Sequence, residues 1–238
     1  MTSFKTYSST RNSRLITAFV AAFALVGTIA VLGTPGNPAN AAPKQAVVLG
    51  AAGAKAEPNC PQSCTALAIG SVLQAKIGDT GNAYQVPFVG QVTQWKLALG
   101  NPSRSDWMSF KERFGSPKAG IAVLRKFNFD GKIRYKLRRR SPLVGLGRYF
   151  GTTATFKLAQ PLRVNKGDFV ALVVPTWAPA LSQSTDSDGS WVVSRDRSTC
   201  NQAPNMQNSK AQLKVGTFAP YGCRFEGIAT YRVRVESR

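Results

Sequence analysis

The sequence has no histidine, and its 238 residues hold only 11 aspartates and glutamates against 31 lysines and arginines. The first absence removes every nucleophile system that relies on an imidazole, such as Ser-His-Asp or Cys-His, and with it the commonest ligand of catalytic zinc. The scarcity of acids limits carboxylate chemistry as well. A glycosidase needs two carboxyl groups facing each other across a cleft. Ten of the 11 acids lie within residues 59–238, namely Asp79, Asp106, Glu112, Asp130, Asp168, Asp186, Asp188, Asp196, Glu226 and Glu236, mostly at turn signals or beside basic residues. No pair among them stands out, so the chain reads as non-catalytic, with no cofactor and no metal. Helical periodicity is also nearly missing, no internal repeat is present, and the sequence contains a single long apolar run.

That run lies near the start of the chain. Lys5, Arg11 and Arg14 precede the apolar stretch from Leu15 to Leu32, and Ala39-Asn40-Ala41 offers a signal peptidase its small residues before Ala42. Residues 1–41 are therefore expected to be a secretory signal. An uncleaved anchor is the alternative, because the run is about long enough to span a bilayer. In either case the remainder is expected outside the cytoplasm, secreted or held at the cell wall. No second run of this kind follows, so no membrane span is expected after cleavage. Removing the signal takes away three basic residues and no acidic one, which lowers the net charge from +20 to +17 over the remaining 197 residues. An excess of this size favours adhesion to acidic surfaces such as nucleic acid, anionic wall polymers or lipid headgroups.

The four cysteines, Cys60, Cys64, Cys200 and Cys223, are an even number in a chain bound for an oxidising compartment. Three pairings are possible. Closure of local loops favours Cys60 with Cys64 and Cys200 with Cys223. A zinc site is the rival reading, but C-x-x-x-C lacks the usual finger spacing and there is no histidine to complete a mixed site.

Residues 42–58, rich in Ala, Gly, Lys and Pro, are expected to be a flexible linker, with the domain occupying 59–238. From there, short apolar or alternating runs are separated by turn residues: TALAIGSVLQAKI, GQVTQWKLAL, AGIAVLRKFNF, KIRYKLR, TATFKLAQ, DFVALVVP, SWVVS, QLKVGTF and IATYRVRVE. The pattern predicts an all-β fold, a jelly-roll-like β-sandwich. One short helix or structured loop is expected at SDWMSFKERFG, where Phe110 and Phe114 fall one turn apart and Ser109 with Glu112 matches a capping box. Lys166-Gly167-Asp168 predicts a tight turn before a buried central strand.

The densest charge run is KIRYKLRRR, residues 132–140. Ile133, Tyr135 and Leu137 alternate with Lys132, Arg134, Lys136 and Arg138, which places the two sets on opposite faces of a strand. Asp130-Gly131 predicts a hairpin joining it to IAVLRKFNF. At the C-terminus Tyr231, Val233 and Val235 alternate with Arg232 and Arg234 in the same way. Such cations serve either as edge protection on a solvated face or as a polyanion site. The candidate polyanion-binding set is Lys132, Arg134, Lys136, Arg138, Arg139, Arg140, Arg232 and Arg234, and it forms one patch only if both strands share a sheet.

CPQSC at the domain start, MSFKERFGSPKAGIAVLRK, SPLVGLGRYFG, PLRVNKGDFVALVVPTWAPAL and the late YGC run in the same order in an uncharacterised family of secreted actinobacterial β-sandwich proteins, which the chain resembles over most of residues 59–223. The resemblance implies an exported β-sandwich with local disulfides and supplies no activity. LRVNKGDFVALVV is similar to the strand-turn-strand of jelly-roll folds such as complement C1q-like domains.

Two further motifs carry candidate ligand chemistry. Trp177, in VPTWAPA between Pro175 and Pro179, is the candidate for stacking on a sugar ring among the tryptophans, although a core position is the favoured reading even for it. Asp186 to Gly189, DSDG, reads as a polar turn rather than a calcium loop because the distal glutamate is missing. A specific nucleic-acid module would interleave aromatics on its basic face, whereas Tyr135 is expected to point inward, so no specific nucleic-acid partner is expected. The expected function is a cationic binding or adhesion module for anionic cell-envelope polymers or glycans. A structural or protein-interaction domain is the alternative, and a glycan hydrolase the third reading.

Overall fold

Alternation of apolar and polar side chains turns most of the chain into antiparallel strands. The computed structural model describes residues 44–183, 188–200 and 210–238. The expected signal, residues 1–41, and Asp186 of the DSDG turn lie outside the described residues. In chain order the strands are β1 (Ala46–Leu49), β2 (Leu67–Ile77), β3 (Thr80–Gly81), β4 (Gly90–Ala98), β5 (Lys118–Phe129), β6 (Lys132–Arg140), β7 (Val144–Gly145), β8 (Thr153–Val164), β9 (Phe169–Ala178), β10 (Leu181–Ser182), β11 (Gly189–Val193), β12 (Phe218–Pro220), β13 (Cys223–Glu226), β14 (Ile228–Ala229) and β15 (Tyr231–Ser237), with helix α1 (Arg104–Phe114) between β4 and β5.

Among the described residues the strands form a four-stranded sheet, β1-β15-β4-β8, and a larger one, β12-β6-β5-β9-β2-β11-β13, on which β3 pairs with β2 and β7 with β5. Strands β10 and β14 form a small third pair. The fold is thus an all-β sandwich, as the alternating runs predict. The larger sheet must curl. Its edge strands β12 and β13 are joined by Tyr221 and Gly222 alone, a link that spans at most about 10 Å, whereas seven flat strands would hold their edges roughly 29 Å apart. The disulfide Cys200–Cys223 lies at this seam and Cys60–Cys64 near the start of β2, the pairing that local loop closure favours.

The sandwich interior is built from strand parity. Val92, Trp95 and Leu97 of β4 and Tyr231, Val233 and Val235 of β15 are buried, at 1 % exposure or less. Tyr231 also ties the two sheets together: its hydroxyl donates to the Val170 carbonyl on β9 at 3.0 Å, and its ring stacks on Tyr84 at 4.1 Å. Strand β9, from Phe169 through Val174, is buried at every position, as expected for a central strand. Its preceding turn is held by Asp168, whose carboxylate accepts from the Asn165 N–H at 2.8 Å.

Several expectations are corrected. Residues 46–49 are not part of a tether: β1 pairs with β15 and buries Leu49, so the folded unit begins well before Asn59. The alternating Val47 and Leu49 suffice to dock this short strand against an open edge. Of QLKVGTF only Phe218 is in a strand. Gln212 is held by side-chain bonds instead, donating from Nε2 to the carbonyls of Tyr135 (3.0 Å) and Thr217 (2.7 Å), and its backbone N–H bonds Ser71 Oγ at 3.0 Å. Helix α1 is capped by Ser103 and not by Ser109 and Glu112. Ser103 Oγ accepts from the Asp106 N–H at 3.1 Å and donates to Asp106 Oδ2 at 2.7 Å, which satisfies a first-turn donor that the middle of the helix cannot leave free.

Candidate anion-binding surfaces

The hairpin forms where Asp130-Gly131 predicts it. Both residues have positive φ, 48° and 78°, and Phe129 pairs with Lys132 across the turn. Along β6, Tyr135 and Leu137 are buried while Lys132 and Arg138 are exposed. Parity fails at Ile133, which is 40 % exposed. The reason is position: Ile133 pairs with Asn128 close to the turn, past the point where β5 has β9 beside it.

The run of eight candidate cations is divided by the structure. Strand β6 lies in the larger sheet and β15 in the four-stranded one, so Arg232 and Arg234 do not merge with the β6 cations into a patch on one sheet. Within β6 the pairing jumps from Leu124↔Leu137 to Val123↔Arg139, which makes Arg138 the extra residue of a bulge. Beyond it the guanidinium groups are occupied by backbone. Arg139 Nη1 donates to the Arg163 carbonyl at 3.3 Å, and Arg140 donates from Nε to Leu213 O at 2.8 Å and from Nη1 to Ser141 O at 3.1 Å. Arg139 and Arg140 therefore staple neighbouring segments, and Lys132, Arg134, Lys136 and Arg138 are the other cations of β6, exposed or half-buried.

A second basic surface covers the outer face of the four-stranded sheet. Arg232 pairs with Lys96, which pairs with Thr155; Arg234 pairs with Gln94, which pairs with Lys157. Cross-strand partners share a face, so Lys96, Lys157, Arg232 and Arg234 stand together opposite the buried Trp95, Leu97 and Val233. Glu236 accepts from Arg234 Nε at 2.6 Å and neutralises part of that charge. A groove of about 220 Å³ runs over this face, lined by Val48, Gln94, Trp95, Lys96, Arg232 and Arg234. Lys96 and Lys157 are missing from the candidate set. Each is a polar member of an alternating run, QWKLA and TFKLA, but their convergence with Arg232 depends on which strands become neighbours.

Trp177 takes the core position, and its candidacy as a ring-stacking platform is corrected. It is fully buried, its Nε1 donates to the Gly115 carbonyl at 2.8 Å, and Phe110 and Phe150 pack on it at 5.0 and 5.5 Å. A buried indole has no face left for a sugar. The solvent-facing indole among the described residues is Trp107 on α1, 39 % exposed and covered by Lys111 Nζ at 5.5 Å.

Carboxylates are spoken for or isolated. Asp168, 1 % exposed, accepts from Arg125 Nε at 2.5 Å, a bond that pushes the guanidinium further above its ordinary range. Asp188, the described acid of DSDG, meets Lys76 Nζ at 3.0 Å. Asp196 is exposed, and hydrogen bonds from the backbone and hydroxyl of Ser198 hold it below the usual carboxylate range, with Arg134 and Lys132 adding to the effect. A wider cleft of about 370 Å³, between residues 54–60, 98–101 and 151–153, holds the single carboxylate Glu57. Among the described residues no three Cys, Asp or Glu side chains gather as a metal site, and no helix is long and apolar enough to cross a membrane. No family model, curated protein or solved structure matches the chain.

Proposed function

We propose that this chain is a secreted, non-catalytic binding module that holds anionic cell-envelope polymers through the outer face of its four-stranded sheet. The observation that carries the proposal is the convergence of Lys96, Lys157, Arg232 and Arg234 from three adjacent strands onto one groove-bearing face. Cations in register on a rigid sheet meet the repeating charges of a phosphate or carboxylate polymer without first having to be ordered, which lowers the cost of binding. Export is supported by the N-terminal pattern and by the two disulfides, which persist in oxidising compartments. The likeness to the secreted actinobacterial family belongs to the same proposal. Its CPQSC and YGC motifs hold three of the four bridged cysteines.

Retention on teichoic-acid or heparin resin tests the reading. Exchanging Lys96, Lys157, Arg232 and Arg234 for Gln should move elution to much lower salt. Exchanging the exposed Lys55, Arg104, Lys118 and Lys166 for Gln removes the same charge elsewhere and should move it little. Equal shifts would mean that net charge alone does the binding, and the proposal would fail.

A further inference from the structure

The hairpin of β5 and β6 outruns β9, its neighbour on the β5 side, while β12 runs beside β6 from Arg134 to Lys136. Strand β5 pairs with β9 from Gly120 to Leu124 and then loses that neighbour, while it stays paired with β6 as far as Phe129 and Lys132. Residues 125–129 of β5 therefore extend roughly 17 Å past β9, and on the other arm Lys132 and Ile133 lie beyond the end of β12. The ion pair of Arg125 with Asp168 sits at the root of this overhang.

The end of the hairpin exposes apolar side chains on both faces. On one face Phe127, Phe129 and Phe218 form a cluster with ring centroids 5.3–6.0 Å apart, and Phe129 and Phe218 are 46 % and 40 % exposed. On the other face stands Ile133, 40 % exposed. Cations flank both sets. Arg134, Lys132 and Lys136 are the cross-strand partners of Phe127, Phe129 and Phe218, Lys136 Nζ lies 5.2 Å over the Phe218 ring, and Lys126 shares a face with Ile133. Asp130 at the turn and the exposed Asp196, on whose carboxylate Arg134 and Lys132 act, are the acids near the tip, and Lys126, Lys132, Arg134 and Lys136 outnumber them.

We infer that this hairpin tip docks on an anionic lipid surface, with Phe129, Phe218 and Ile133 entering the interfacial layer while Lys126, Lys132 and Arg134 engage the headgroups. The two-faced exposure selects this occupant. A linear polyanion laid on a sheet touches one face and gains nothing from Ile133, whereas a bilayer surrounds a tip pushed into it. Aromatic rings favour the depth of the headgroups, and long cationic side chains reach back from it to phosphate. The site is separate from the groove on the four-stranded sheet, so it stands or falls independently of the polymer proposal.

The test uses the compact unit Pro43–Arg238, which contains the whole core and both disulfides and excludes the apolar run from Leu15 to Leu32. It should sediment with vesicles of mixed phosphatidylglycerol and phosphatidylcholine and not with phosphatidylcholine alone. Phe129→Ser with Phe218→Ser should lower the partition coefficient about tenfold or more, and removal of Lys126 or Lys132 should lower it about fivefold each. A Phe129→Trp variant supplies a measurement that does not depend on loss of binding, since acyl-chain-brominated lipid should quench its added emission. Absence of sedimentation, absence of quenching, or partition unchanged by the serine pair would overturn the inference. So would an Ile133→Ser variant that binds vesicles undiminished, or tip protection by a single-stranded oligonucleotide in place of vesicles, since both would indicate a one-faced linear ligand.

Discussion

Lys96 and Arg232 are direct cross-strand partners on the outer face of the four-stranded sheet, two cations in register. Like charges placed opposite each other destabilise a sheet by a few tenths of a kcal/mol up to about 1 kcal/mol. A sheet optimised for stability alone would place an acid there. The pair is intelligible if an external anion sits between the two, so that repulsion in the free protein becomes attraction in the complex.

The first prediction follows from that trade. Lys96→Glu should raise the thermal midpoint by about 2 °C, given the expected cross-strand gain and the size of the domain, and should at the same time weaken polyanion binding. Differential scanning calorimetry beside resin retention reads both effects. A variant that is less stable and binds unchanged would show the pair to be structural.

The strands and the hairpin were legible in the sequence because their signals are local. Asp130-Gly131 specifies a turn, and Tyr135 and Leu137 specify a buried face, whatever lies further away. Non-local facts were not legible. KIRYKLRRR and YRVRV look alike, yet one strand joins the larger sheet and the other the smaller. Lys96 and Lys157 become functional candidates only once β4 lies between β8 and β15. Ile133 follows the inward period but sits near the hairpin turn, beyond the end of the β5–β9 pairing, and stays 40 % exposed. Trp177 between two prolines resembles a stiffened surface loop, and only the position of Phe110, one helix away, reveals that it is covered.

Alkaline stability gives a second prediction. Burial pushes the hydroxyls of Tyr84, Tyr221 and Tyr231 above the ordinary value of 10.0. A raised folded pKa stabilises the fold fully below the unfolded value, and that contribution is lost as pH rises past it. Stability should therefore be flat towards pH 10 and fall above it by about 1.4 kcal/mol per pH unit for each such tyrosine. Tyrosinate absorbance should appear together with loss of the sheet signal in circular dichroism. Tyr231→Phe should flatten the slope by one proton while costing about 1 kcal/mol near neutrality through the lost bond to Val170.

The two disulfides should contribute unequally. Their sequence separations are 4 and 23, which by chain entropy corresponds to about 2 and about 3 kcal/mol. Exchanging Cys200 and Cys223 for Ser should therefore destabilise more than exchanging Cys60 and Cys64, as read by urea midpoints at equal m. The reverse order would place the weak point of the fold at the β2 entrance instead of at the β12–β13 seam.

The most direct test of the central claim is the slope of log binding constant against log salt for a soluble teichoic-acid or heparin oligomer. If Lys96, Lys157, Arg232 and Arg234 form the site, neutralising all four should reduce the slope by about 3, since each paired charge contributes roughly 0.7 to 0.9. A slope that stays where it was, or that falls equally when Lys55, Arg104, Lys118 and Lys166 are neutralised instead, would contradict the assignment of this face as the binding surface.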